Sequence, residues 1–365
     1  MTSQTWLDLA ARIGPIIVFL LAITVTAEIA ERAGVFDVAG HAVARWGRHR
    51  TWLLWLLFAL LAVACTVFLS LDTTAVLLTP VGLAIARQVG MGPLPFALTT
   101  LWIANTGSLL LPVSNLTNLL ALQRFAAVGV DHAAYVRLAA LPALVAVLAT
   151  LAIIAVLRRK DLAGRFTVDA PPVPHDRGLL WTAGIVCVVV GPLFAIGLPP
   201  AWVSTGSAVV LVAAALWRSP ALLRTISVPW LMALGFAAVA ALVTWANGQG
   251  LTVQLAGWAG SGTSTGALLR VAAVGAGVAN TVNNLPAYLA LEPTVAAVPA
   301  RLMALLIGVN AGPLVTPWGS LATLLWLQRC RSAGVTIPPL KLALAGLACA
   351  VATVVLATAA LAVTS

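Results

Sequence analysis

One carboxylate in a nearly uncharged chain is the first residue placed to do chemistry. Asp72 sits in Leu71-Asp72-Thr73-Thr74, between two apolar runs, and it is the one carboxylate the sequence pattern puts deep in such a region. An ionised carboxylate at bilayer depth is costly unless paired, neutralised or wetted, so it is by default a group that binds or carries a proton. Asp is also a favoured helix N-cap, and a local cap on the following half-helix competes with that role. Around Asp72 and Thr73 the remaining candidates are neutral. They are Asn105, Thr106, Ser108, Ser114 and Asn115, then Asn283 and Asn284, then Asn310, Gly312, Thr316 and Ser320, with Asn118 and Thr323 one turn further on. Amides and hydroxyls beside the free N–H and C=O groups of a broken helix can hold a polar solute or a cation without formal charge. Small polar residues also pack between membrane helices, which is the competing reading for all of them.

The elements that position these residues follow from composition. Hydrophobic residues make up 61% of the 365-residue chain and charged residues 8%, against about a quarter charged in soluble domains. Lipid must therefore be the solvent. The net charge of +10 is spread singly between apolar runs and forms no basic stripe with interleaved aromatics, which excludes nucleic acid as the partner and makes the charge topological. Segments 14–33, 136–157, 179–198, 201–217, 228–246 and 342–363 are long enough to cross roughly 30 Å at about 1.5 Å per residue. Segment 14–33 contains Glu28, lacks a small-residue cleavage site and precedes many spans, so it reads as a membrane helix rather than a signal peptide.

Four other apolar stretches, 51–88, 94–123, 265–299 and 302–328, are interrupted by Gly, Pro, Asn, Ser and Thr. Non-helical backbone at membrane depth survives only where protein or a wet cavity satisfies it, so the interruptions mark an internal site. Placing the Arg and Lys of 45–50, 158–177, 218–224 and 329–341 in the cytoplasm makes the spans alternate. It also requires 51–88 to be a hairpin entered from the inside and 265–299 one entered from the outside. Both termini then lie outside.

Segments 105–124 and 310–329 align without gaps and agree at Asn105/Asn310, Gly107/Gly312, Pro112/Pro317 and the closing Gln-Arg pair. The charge pattern puts Arg124 outside and Arg329 inside, so the copies run oppositely, which is the inverted-repeat design of secondary transporters. The expected fold is an all-α polytopic membrane protein with two re-entrant hairpins and two broken helices. Its first repeat spans 1–160, a cytoplasmic linker 161–178, and a second repeat 179–365.

Other groups read as structural. Cys65, Cys187, Cys330 and Cys349 have no CxxC spacing or neighbouring His, so no metal and no cofactor is implied. The thiols suit apolar packing, with no pair arranged for a thiol-seeking ligand. Glu28 and Glu292 lie near helix ends where they can snorkel to water. His41, His49, His132 and His175 fall in loops or at membrane edges; Trp52, Trp181, Trp202 and Trp230 suit interfacial anchoring, and Trp318, beside Pro317 in a break, suits a cavity wall. An intramembrane hydrolase would need a buried Ser/His pair, HExxH or paired aspartates, none of which occurs.

The runs SLDTTAVLLTP (70–80), NTGSLLLPVSNLTNLL (105–120), VNNLPAYL (282–289) and GPLVTPWGSLATLLWL (312–327) closely resemble the arsenical pump membrane protein family. That family belongs to the ion-transporter group with divalent-anion/sodium symporters and sodium/proton antiporters. The segment 30–47 also resembles the linker before its first hairpin, and the likeness runs from about residue 20 to the end. The resemblance implies export of arsenite or antimonite in exchange for protons, by an elevator-like movement in a bacterial inner membrane. It further implies a homodimer and, as in some relatives, a cytosolic ATPase partner, which nothing in these loops demonstrates. The substrate is then a small inorganic oxyanion or its neutral acid, suited to amides and hydroxyls, and the absence of a membrane-embedded Arg or Lys argues against a dicarboxylate. A sodium-coupled anion symporter, or a sodium/proton antiporter with only one central carboxylate, remains the alternative. Typical members carry two more helices in the first half, so an upstream start or a shortened scaffold is expected.

Overall fold

The computed structural model describes residues 3–88, 90–164 and 176–364, so Arg165, His175 and most of the 161–178 linker lie outside the described residues. Among the described residues the chain is helical throughout, and eight helices are long and apolar enough to cross a membrane. Six correspond to the ordinary spans read from the sequence; the other two are the incoming arms of the two hairpins.

The first helix, α1 (Ser3–Arg32), begins eleven residues before the expected span and so carries Asp8 and Arg12 on an additional N-terminal stretch. It stops at Gly34, whose φ of 87° is the left-handed conformation that terminates helices at low cost to glycine. The amphipathic α2 (Val35–Trp46) follows. It lies close against the first hairpin, with Gly40 facing Val81.

That hairpin consists of α3 (Thr51–Phe68), then a single turn α4 (Leu71–Thr73), a π-helical turn (Thr74–Leu78) and α5 (Thr79–Gln88). Phe58 packs its ring against Gly82, and the Thr66 and Thr74 hydroxyls are 2.9 Å apart, so the two arms run antiparallel about Ser70. The tip is thus at Leu69–Ser70, just before the expected Leu71–Thr74. Ser70 caps the outgoing arm: its Oγ accepts from the Thr73 amide at 3.1 Å. Asp72 is therefore not the cap.

The first broken helix is α6 (Leu94–Thr106), a break containing two 3₁₀ turns, and α7 (Leu116–Ala127). Long apolar helices α8 (His132–Leu157), α9 (Arg177–Ala195) and α10 (Pro200–Arg218) follow, then the short α11 (Pro220–Leu223) and α12 (Trp230–Gly248). Asp176 caps α9, accepting from the Leu179 amide at 2.8 Å and from Arg218 Nε at 2.9 Å; these bonds hold its carboxyl below the usual range. A further helix that the hydropathy pattern did not announce, α13 (Leu251–Ala259), precedes the second hairpin.

The second hairpin is α14 (Thr265–Val282) and α15 (Asn284–Val295), turning at Asn283. The second broken helix is α16 (Pro299–Ala311) and α17 (Leu321–Ser332), and α18 (Pro339–Thr364) closes the chain. Both halves of the first broken helix correspond end for end with both halves of the second in the register of the sequence repeat. The buried core runs through α6, α16 and the breaks, while Trp52, Trp181, Trp202 and Trp230 are exposed on the molecular surface.

Candidate functional site

The two hairpin tips and the two breaks meet. A cavity of about 320 Å³ is lined by Asp72, Asn115, Asn283, Asn284, Ser320 and apolar neighbours. It adjoins a second cavity of about 740 Å³, which shares Asp72 and Asn115 and extends to Glu28 and Arg329. Four helices, α4, α7, α15 and α17, begin at this point, and each start presents backbone N–H groups with the positive end of its dipole.

Asp72 is half-buried and touches both cavities, and among the described residues its carboxylate has no hydrogen-bond or ion-pair partner. Thr73 lines the larger cavity but not the smaller one, and its hydroxyl lies 2.9 Å from Ser70 Oγ. Ser70 itself lines the larger cavity, a residue the sequence reading passed over although Ser before a helix start is a cap signal.

The amides of the first break are committed mostly to each other. Asn115 caps α7, accepting from the Thr117 amide at 3.2 Å, and donates to Asn310 Oδ1 at 3.0 Å. Asn310 Oδ1 also accepts from the Thr117 hydroxyl at 2.9 Å, and its Nδ2 donates to Asn118 Oδ1 at 2.7 Å. Asn118 in turn donates to the carbonyl of Ser108 at 2.7 Å. This buried network joins α16 to α7 across the two repeats, with Thr117 as a member missed in the sequence. Ser108 donates to the Asn105 carbonyl and Ser114 to the Val67 carbonyl, tying the break to itself and to α3. Thr106 accepts from Thr150 of α8 at 2.9 Å.

The counterpart set, with its asparagine from the first copy and its hydroxyls from the second, is open. Asn105, Ser320 and Thr323 occupy the repeat positions of Asn310, Asn115 and Asn118, and the Asn105 Oδ1, Ser320 Oγ and Thr323 Oγ1 atoms are buried without partners among the described residues. Only Ser320 of the three borders the smaller cavity.

Family models compared with the chain supply the deciding observation: the citrate transporter model matches residues 8–301. The chain belongs to the citrate transporter family. The arsenical pump membrane proteins of Escherichia coli and Yersinia enterocolitica are each 28% identical over 87% of this chain and 79% of their own length. An uncharacterized transporter of Mycobacterium tuberculosis is 24% identical over 88% of the chain and 79% of its own. The crystal structure of the YdaH transporter from Alcanivorax borkumensis shares the fold, with a TM-score of 0.66 and 18% identity over 97% of this chain and 86% of that one. The molecule is a multi-pass membrane transporter.

In this citrate transporter family member the second tip is held by an asparagine absent from the sequence-based candidates. Asn280 Oδ1 accepts from the Val315 and Thr316 amides, each at 3.1 Å, and its Nδ2 donates to the Gly312 carbonyl at 2.9 Å. Thr316 donates its hydroxyl to the Asn280 carbonyl at 2.8 Å, and Gly312 packs against Ala276 with no room for a side chain. Thr316 and Gly312 thus shape the break and do not face either cavity. Asn283 caps α15 and donates to the Trp318 carbonyl at 2.9 Å, and the Asn284 amide donates to the Gly319 carbonyl at 2.8 Å.

Two expectations need correction. Trp318 lines neither of these cavities; its ring is exposed, and its carbonyl accepts from Asn283 Nδ2. Glu292 does not snorkel to water: it is 1% exposed and bonded to Arg12 and Tyr288, since the longer α1 brings Arg12 over it. One arginine at the start of α16 is buried as well. Arg301 is 4% exposed, and its guanidinium is spent on the carbonyls of Ala259, Gly260 and Gly262 at the α13 end.

Proposed function

We propose that this transporter exports trivalent arsenic or antimony oxyacids in exchange for protons, with Asp72 carrying the proton. The observation that carries the reading is the unpartnered Asp72 carboxylate in a cavity otherwise walled by neutral amides, a serine and apolar side chains. Arsenous acid is a small trihydroxide, neutral near pH 7. Asn115, Asn283, Asn284 and Ser320 offer it donors and acceptors, and no arginine clamp of the kind a carboxylate substrate would favour lines the smaller cavity. Asp72 can accept a substrate hydroxyl proton or release its own according to the side it faces, and competition between substrate and proton for one carboxylate gives exchange.

The two repeats, 1–160 and 179–365 about the 161–178 linker, supply the two hairpins and broken helices that move together, elevator-like, against the longer helices. With Arg329 cytoplasmic, the larger cavity opens inward. Sodium-coupled anion symport is the second reading. It is favoured by the family's citrate description and by the four helix N-termini, whose dipoles attract anions.

Arsenite uptake into everted vesicles, with and without a pH gradient, tests the first reading in the native protein, Asp72→Asn and Ser320→Ala. Asp72→Asn is expected to abolish the gradient dependence and Ser320→Ala to weaken uptake while retaining that dependence. Gradient-driven uptake that persists in Asp72→Asn refutes proton carriage by Asp72, and citrate flux driven by sodium in place of arsenite flux favours the second reading.

A further inference from the structure

The buried Glu292 is not part of the cavity around Asp72, yet it joins three elements. Its Oε2 accepts from Arg12 Nη1 at 2.9 Å, while its Oε1 accepts from Arg12 Nη2 and from the Tyr288 hydroxyl at 2.8 Å. Arg124 Nε lies 3.3 Å from the same Oε1. Arg12 also donates to the Leu120 carbonyl, and its own carbonyl accepts from Gln123 at 3.1 Å. Arg12 belongs to α1, Arg124 to α7 and Glu292 to α15. The last two elements begin at the candidate site, with Leu116 and Asn284, and each is bound to α1 two turns later, about 12 Å away.

A third cavity of about 470 Å³, with Arg12, Gln123, Arg124, Thr244, Asn247 and Glu292 in its wall, lies on the far side of this cluster. It shares no lining residue with the two cavities that reach Asp72. Leu120 and Tyr288, next to the cluster on α7 and α15, are fully buried. Arg12 and Glu28, which border cavities on opposite sides, are separated by about 24 Å along α1. The molecule is therefore open from the Glu28 and Arg329 side and shut at Glu292.

We infer that Arg12, Arg124 and Glu292 form an ion-pair latch that closes the path on the face away from Arg329, by pinning the second hairpin and α7 to α1. A buried carboxylate held by two guanidiniums contributes little to net stability, because desolvation offsets attraction, but it is selective for the one packing in which all partners meet. All three groups already border the polar vestibule, and moving α15 and α7 away from α1 would break their contacts and let water from it replace the pairs. The two arrangements are thus discrete, as a switching element requires. The inference rests on the transport reading only for the existence of a path; it is independent of substrate and coupling ion.

The test is the rate at which Asn284→Cys reacts with a membrane-impermeant maleimide applied from the vestibule side. Its background is set by the same protein without that substitution. Adding Glu292→Gln is expected to raise the rate about tenfold, a shift of about 1.4 kcal/mol between closed and open states. Exchanging the charges, Arg12→Glu with Glu292→Arg, together with Arg124→Gln so that no guanidinium opposes the new arginine, is expected to bring it back toward the original value. An unchanged rate in Glu292→Gln overturns the latch, and so does equal acceleration from both faces, which signals loosened packing. If Glu292→Gln does not fold, Arg124→Gln, altering a guanidinium that is 44% exposed, is expected to give a smaller one-sided acceleration, and no acceleration overturns the proposal. Loss of arsenite flux with the labelling pattern intact would count against the substrate and not the latch.

Discussion

Asn310 and Asn105 occupy the same position of the repeat and have opposite fates. The Asn310 amide accepts from Asn115 and Thr117 and donates to Asn118, while Asn105 donates only to the Leu101 carbonyl and leaves its oxygen unpartnered. Truncating Asn310 to alanine strands several buried groups at about 1–3 kcal/mol each, so a loss of about 3 kcal/mol is expected; Asn105→Ala should cost about 1 kcal/mol. Thermal unfolding of the two variants in detergent checks this, and equal losses would mean that the network does not join the repeats. Sequence made the two residues look alike because the repeat is exact at that position. Their partners differ at Asn115/Ser320, Thr117/Ala322 and Asn118/Thr323, and those substitutions decide which amide is satisfied.

Among the elements, the second hairpin turns on a residue that is not glycine. Asn283 has φ 110° and ψ 153°, a region populated almost only by glycine, and is held there by its own cap on Leu285 and its bond to Trp318. Both Asn283→Gly and Asn283→Ala lose those bonds, but alanine also keeps a Cβ in strained backbone. The alanine variant should be less stable than the glycine one by about 1–3 kcal/mol. A melting comparison with the order reversed would show that the side-chain bonds, not the backbone, set the tip. Hairpin and break positions were legible because polar interruptions of apolar runs are rare and must be internally satisfied. Their exact tips were not: Ser70 rather than Asp72 caps the first, and Asn280 rather than a tip residue organises the second break, because capping depends on local dihedral angles that composition does not reveal.

For the whole molecule, the two cavities reaching Asp72 open toward Arg329 and the third is separated from them by Glu292. With the Arg329 face cytoplasmic, an impermeant maleimide should label Leu325→Cys, in the wall of the larger cavity, in everted vesicles and not in right-side-out ones. Labelling in the reverse pattern would invert the assigned orientation. Sequence by itself determined the solvent, the helical class, the repeat and most candidate polar positions, since each depends on hydropathy or on residue identity along one chain. Only the tertiary structure decided which polar groups are consumed by packing and which face the cavity, and it brought Arg12, Arg124 and Glu292 together. Those outcomes depend on contacts across 280 residues of sequence, as between Arg12 and Glu292. No local pattern encodes such a pairing: a carboxylate near a helix end is paired or hydrated according to what another helix places over it.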